Sequence, residues 1–91
     1  MARNAVFINI DETRVIPALR EAGKKLDGAE GEIALDFSSV HRVDSSALRA
    51  MEELARIADE KNVKLALRGV NVDVYKVLKL VKLTRQFSFV N

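Results

Sequence analysis

Two periodicities take turns along this chain: apolar residues fall at every second position in short runs, and at every third or fourth position in the stretches between them. The first alternating run is Val6-Phe7-Ile8-Asn9-Ile10, which reads as a strand. Asp11-Glu12-Thr13 follows and supplies candidate N-cap residues, so a helix is predicted to start there. Val15, Ile16, Leu19, Ala22 and Leu26 then recur at helical spacing, while Arg14, Arg20, Glu21, Lys24 and Lys25 take the opposite face. Pro17 must fall in or close to the first turn of that helix, where a missing N–H costs least. Asp27-Gly28-Ala29-Glu30-Gly31 is turn chemistry, and it leads into a second strand from about Glu32 to Ser38.

The next helical stripe is Leu48, Met51, Leu54, Ala55 and Ala58, with Arg49, Glu52, Glu53, Arg56, Asp59 and Glu60 opposite and Ile57 outside the stripe. Lys61-Asn62 ends it, and Val63 to Val70 reads as the third strand. Asn71 to Leu83 is predicted as a third helix with Val74, Val77, Leu78 and Val81 inward; its valines favour a strand, but Lys76, Lys79 and Lys82 at three-residue spacing decide for a helix. Phe87-Ser88-Phe89-Val90 alternates again and forms the last strand.

Strands alternating with helices build βαβ units with right-handed crossovers. One face of the predicted sheet collects Val6, Ile8 and Ile10, then Ile33, Leu35 and Phe37, then Val63, Leu65 and Leu67, and finally Phe87 and Phe89. The other face offers Phe7, Asn9, Ala34, Asp36, Ser38, Lys64, Ala66, Arg68 and Ser88, which is too polar to lie under a second helical layer. The expected fold is therefore an α/β domain whose mainly parallel sheet of about four strands carries its helices chiefly on one face.

A chain of 91 residues makes one domain, taken here as residues 1–91. With 48% hydrophobic and 31% charged residues it is ordinary for a globular protein, and no window approaches the ~20 apolar residues that cross a bilayer. The N-terminus holds no signal-peptide core, so a cytoplasmic location without membrane insertion is expected. The absence of Cys and the single His leave no disulfide framework, no thiolate chemistry and no metal-ligand spacing, so no cofactor is expected. No nucleophile–base pair can be assembled and the glycines Gly23, Gly28, Gly31 and Gly69 are isolated, so an enzyme is not expected. A net charge of +2 without an aromatic stacking platform also argues against nucleic acid as a partner.

Chemistry is densest where the second strand runs into the second helix, Leu35-Asp36-Phe37-Ser38-Ser39-Val40-His41-Arg42-Val43-Asp44-Ser45-Ser46-Ala47-Leu48. If Asp44 or Ser45 caps the helix, Ser45 sits among unpaired backbone N–H groups at the positive end of the helix dipole, where a phosphate is stabilised by about 1 kcal/mol. The simpler reading is that Asp44-Ser45-Ser46 is a helix cap and nothing more. His41 and Arg42 lie in the loop before the site, and Asp36 lies on the open sheet face near the same end. Lys76, Lys79, Lys82 and Arg85 form a separate basic stripe.

The gapless run from Ile33 to Leu54, with its strand Asp, Val-containing loop and Asp-Ser-Ser-Ala-Leu, resembles the STAS family, the anti-sigma-factor-antagonist domain. Leu65 to Phe87 looks like the family's next strand, third helix and following strand. In that family the Ser or Thr directly after the Asp is phosphorylated, which is Ser45 here. The resemblance implies a partner-switching regulator that captures an anti-sigma factor, often itself a serine kinase, until Ser45 is phosphorylated. Partner contacts are expected at Asp36, His41, Arg42, Asp44, Ser45, Ser46 and Arg49, the simpler readings being a solvated loop pair for His41 and Arg42 and an exposed strand residue for Asp36. As a second reading the resemblance admits an accessory subunit that binds the ATPase of an ABC-type lipid transporter through the second helix and the loop before it. Thr is commoner than Ser at that position in the transporter subfamily, whereas the basic balance leans towards it. The family's usual first strand and C-terminal helix have no match here, and homodimerisation is one way to cover the sheet face and edge strand they leave. The family's Gly after the Ser pair is Ala47, and its Gly near the end of the third helix is Lys82, which predicts an irregular end to that helix.

Overall fold

The structure, a computed structural model, describes residues 6–26 and 31–90. The turn expected at Asp27 to Glu30 lies outside the described residues. Four strands, β1 (Val6–Asn9), β2 (Glu32–Asp36), β3 (Lys64–Arg68) and β4 (Ser88–Val90), alternate with three helices, α1 (Val15–Lys25), α2 (Ser45–Glu60) and α3 (Val72–Leu80). The strands lie in the order β1-β2-β3-β4 and every pairing is parallel. Each strand is therefore reached from its neighbour through one helical crossover.

The register sorts side chains into rows. Ile8, Leu35, Leu67 and Phe89 align across the sheet on the core face, and Phe7, Ala34, Ala66 and Ser88 align on the other. Beneath the first row, Ile33, Leu35, Phe37, Leu65 and Leu67 are buried against Leu19 and Ala22 of α1, Met51, Leu54 and Ala58 of α2, and Val74 and Leu78 of α3. All three helices thus share one core on one side of the sheet, as the polar second face requires. On that second face Phe7 is 56% exposed, while Ala66 is buried because it is a small side chain on an inner strand.

Several boundaries differ from the sequence reading, each for a local reason. Asp11 caps only a 3-10 turn at Glu12–Arg14, accepting from the Thr13 N–H at 2.9 Å, and α1 starts afterwards behind Arg14 without a side-chain cap. Pro17 then falls in the first turn of α1, where it is tolerated. The second and third strands are shorter than the apolar runs that announced them, and Phe87 is buried just ahead of β4.

Helix α3 stops at Leu80, so Val81 becomes its C-cap and is 42% exposed instead of pointing inward. The end of α3 is regular, contrary to the expectation from Lys82. Lys82 adopts the left-handed conformation at φ 64°, its N–H reaches the Lys79 carbonyl at 3.1 Å, and the Leu83 N–H reaches the Leu78 carbonyl at 2.8 Å. Asn62 closes α2 in the same way, at φ 58° with the Val63 N–H on the Ala58 carbonyl at 2.9 Å. Both are Schellman ends sealed by a buried pair, Ala58 with Val63 and Leu78 with Leu83. The lysine accepts a conformation that costs on the order of 1 kcal/mol because the hydrophobic closure outweighs it.

Candidate functional site

The segment between β2 and α2 is fixed from three directions. At its start, Asp36 Oδ1 accepts from the Ser38 N–H at 3.0 Å and from the Ser38 hydroxyl at 2.7 Å, and Oδ2 accepts from Asn9 Nδ2 at 3.3 Å. These bonds, led by the Ser38 hydroxyl, hold the Asp36 carboxyl below its ordinary range. Asp36 therefore anchors the loop, and its hydrogen bonds go to Ser38 and Asn9 and not to Ser45. Gly69, at φ 73°, passes so close that a Cβ there would lie 2.9 Å from Ser38 Cβ.

Farther along, Val40 is buried and its N–H closes a turn onto the Phe37 carbonyl at 2.9 Å. Asn71 reaches the same loop from the start of α3. Its Nδ2 donates to the carbonyls of His41 at 3.2 Å and Val40 at 3.4 Å, while its Oδ1 accepts from the Val74 N–H at 2.8 Å and caps α3. From the third side, His41 Nδ1 lies 3.0 Å from Glu12 Oε1. The hydrogen bond from His41, helped by the charges of His41 and Arg42, outweighs partial desolvation and lowers the Glu12 carboxyl. The rest of the His41 ring stays open to solvent, at 73% side-chain exposure.

The loop delivers Asp44 in extended conformation to the N-cap of α2, where Oδ1 accepts from the Ala47 N–H at 2.8 Å. Asp44 is thus the cap, and neither Ser45 nor Ser46 takes that role. Ser45 becomes the first residue of α2, exposed, with its hydroxyl unbonded among the described residues. Ser46 is exposed beside it, and Arg49 is exposed one turn further along the helix. Arg42 and Asp44 face a hollow of about 270 Å³ shared with Glu12, Arg14 and Pro17. Ser46 and Arg49 instead line a groove of about 760 Å³ between α1 and α2.

His41, Arg42, Asp44, Ser45, Ser46 and Arg49 are therefore gathered at one end of the domain, with Asp36 as a support behind them. Sequence reading missed Glu12 and Asn71 as parts of this site. Asn71 carried a helix-cap signal, but its grip on a loop thirty residues earlier left no local trace. Among the described residues no group of three His, Asp or Glu side chains is placed to hold a metal ion, and no helix is long and apolar enough to cross a membrane.

A parallel sheet with one helical layer, and an Asp-capped helix opening on two serines beneath a tied-down loop, define the class. The family model described as "Mlab, STAS domain" matches residues 12–90, and the chain belongs to the STAS family. Two solved structures of one protein share its fold. The NMR structure of protein TM1081 superposes with a TM-score of 0.79 at 21% identity, covering 100% of this chain and 77% of that one. The 1.59 Å crystal structure of TM1081, a proposed anti-sigma factor antagonist from Thermotoga maritima, gives a TM-score of 0.67 at 22% identity, covering 100% and 76%. Among curated proteins, none matches the chain.

Proposed function

We propose that this domain is an anti-sigma-factor-antagonist-like switch that acts by binding, holding an anti-sigma factor or serine kinase while Ser45 is free and releasing it when Ser45 is phosphorylated. The observation that carries this reading is the separation of roles at the start of α2. Asp44 alone satisfies the cap, so the exposed Ser45 hydroxyl is left over for chemistry. A phosphate there meets unpaired N–H groups and the positive helix end, so the fold tolerates it. Its −1.5 to −2 charge instead acts on whatever packs against His41, Arg42, Ser46 and Arg49. A penalty of about 3 kcal/mol weakens such a complex roughly a hundredfold.

The matched family description speaks of Mlab and not of sigma factors, which supports keeping a second reading: an accessory subunit seated through the same helix and loop on the ATPase of an ABC-type lipid transporter. One experiment separates the two. Tagged wild type and Ser45→Asp are purified from the native host, and the companions and the Ser45 peptide are identified by mass spectrometry. A kinase-like ATPase or anti-sigma factor held by wild type and lost by the variant supports the switch. A transporter ATPase held by both moves the assignment to the second reading.

A further inference from the structure

The groove between α1 and α2 has two kinds of wall. Its floor and sides are apolar, built from Ile16, Leu19, Ala50, Leu54 and Ile57, with Gly23 leaving the α1 side open. A Cβ at Gly23 would make ordinary van der Waals contact with Leu54 Cδ1 at 3.8 Å, so the packing of the two helices does not require a glycine there. Its rims carry Arg20 and Lys24 on α1 and Arg49 on α2, none of them in an ion pair among the described residues. The acid on the rim, Glu53, is held at 2.6 Å by Arg56, which also bridges Glu60 at 3.0 Å. Positive charge without an ion-pair partner among the described residues thus flanks the apolar channel, from Arg20 and Lys24 on α1 and from Arg49 on α2.

The lining residues on α2, Ser46, Arg49, Ala50, Glu53, Leu54 and Ile57, recur at three- and four-residue steps along about 16 Å, or three helical turns. Two parallel rows of such ridges are the seat into which a third helix packs. We propose that this groove docks an amphipathic helix of the partner whose apolar stripe is bordered by acidic residues, the acids pairing with Arg20, Lys24 and Arg49. The proposal rests on the partner-binding reading above and adds what the partner presents. It also gives Ser45 a means of action: a phosphate on Ser45 lies one turn from Arg49, competes for its guanidinium and repels the acidic helix.

The test is fluorescence anisotropy with a labelled synthetic helix of about 16 residues, leucines on one stripe and glutamates on both borders. Saturable binding is expected, weakened tenfold or more by Arg49→Glu, by the pair Arg20→Glu/Lys24→Glu, and by Ala50→Trp, each checked for folding by circular dichroism. Amide NMR shifts should gather on α1 and α2 and spare Phe7 and Asn9 on the open sheet face. Equal binding of a lysine-bordered or stripe-scrambled peptide overturns the proposal, as does indifference to the rim variants or equally tight binding of oleate at the same residues. Failure here with a Ser45-sensitive native partner removes the groove and keeps the switch. A specific peptide in the groove with a native partner indifferent to Ser45→Asp removes the switch and keeps the groove.

Discussion

In the proposed switch, capping falls to Asp44 and switching to the adjacent Ser45, and stability measurements can separate the two roles. Asp44→Ala deletes the acceptor for the Ala47 N–H, a 2.8 Å bond in a part-buried setting, so α2 loses its N-cap. Loss of such a cap costs about 1 kcal/mol, which for a domain of this size lowers the melting temperature by roughly 4–8 °C. Asp44→Asn keeps an oxygen acceptor in the same place and is expected to recover most of that loss, leaving a few tenths of a kcal/mol from the missing charge at the helix end. Ser45→Ala removes a hydroxyl that makes no hydrogen bond among the described residues, and alanine is a good helix former, so stability should stay within about 0.5 kcal/mol of wild type. The assay is urea and thermal unfolding at neutral pH, followed by circular dichroism, for the four proteins side by side. If Ser45→Ala proves as costly as Asp44→Ala, or Asp44→Asn fails to rescue, then Ser45 is structural and the division of labour behind the switch is wrong.

Other sites give sharper contrasts. Gly69→Ala should destabilise by on the order of 2 kcal/mol, since its Cβ would meet Ser38 Cβ at 2.9 Å from a left-handed backbone; a neutral result in urea denaturation contradicts that close approach. Lys82→Gly should stabilise by about 1 kcal/mol by relieving the left-handed lysine at the end of α3, read as a rise in the urea midpoint without a change in slope. Asn71→Ala loses the α3 cap and the grip on the His41 and Val40 carbonyls together, with an expected cost of about 1–2 kcal/mol and faster amide exchange in residues 38–44. On acidification, Asp11, Glu12 and Asp36 all have folded-state pKa values below their unfolded ones. The unfolded chain therefore binds more protons near pH 4, and stability present above that pH is lost as pH falls; urea midpoints measured from about pH 5 down to about pH 3 should decline.

What could be read from the sequence was whatever depends on local period. The alternation of Val6, Ile8 and Ile10 and the stripe of Met51, Leu54, Ala55 and Ala58 each reflect one face buried against one core, and the polar second face followed from the same alternation. The end of α3 was misread because a positional rule about glycine was weighed without the closure that competes with it, and Leu83 against Leu78 is a contact that the helix pattern alone does not reveal. Val81 was misplaced for a related reason: helical phase continues to point inward after the hydrogen-bond ladder has ended. At the site, the cap could be narrowed to two residues but not chosen, since Asp and Ser both accept from an N3 amide and only the chain's approach angle decides. Glu12 and Asn71 were invisible because their partners lie about thirty residues away.

Those two long-range contacts bear on binding as well as on folding. A loop of eight residues between a strand and a helix would ordinarily sample many conformations, and a partner that needed one of them would bear the cost of ordering it, about 0.5–1.5 kcal/mol for each immobilised side chain. Here Asp36 holds the loop at its start, Asn71 holds two of its carbonyls from α3, and Glu12 holds His41 from the turn before α1. The end of β2, the start of α3 and the turn before α1 therefore each contribute one fixed point, and Ser45 follows at a defined place instead of on a free tether. A charge added to Ser45 then cannot be evaded by loop rearrangement without breaking bonds to three separate elements. Rigidity of the loop, more than any property of the serine itself, is what would let one phosphate convert into a large change in partner affinity.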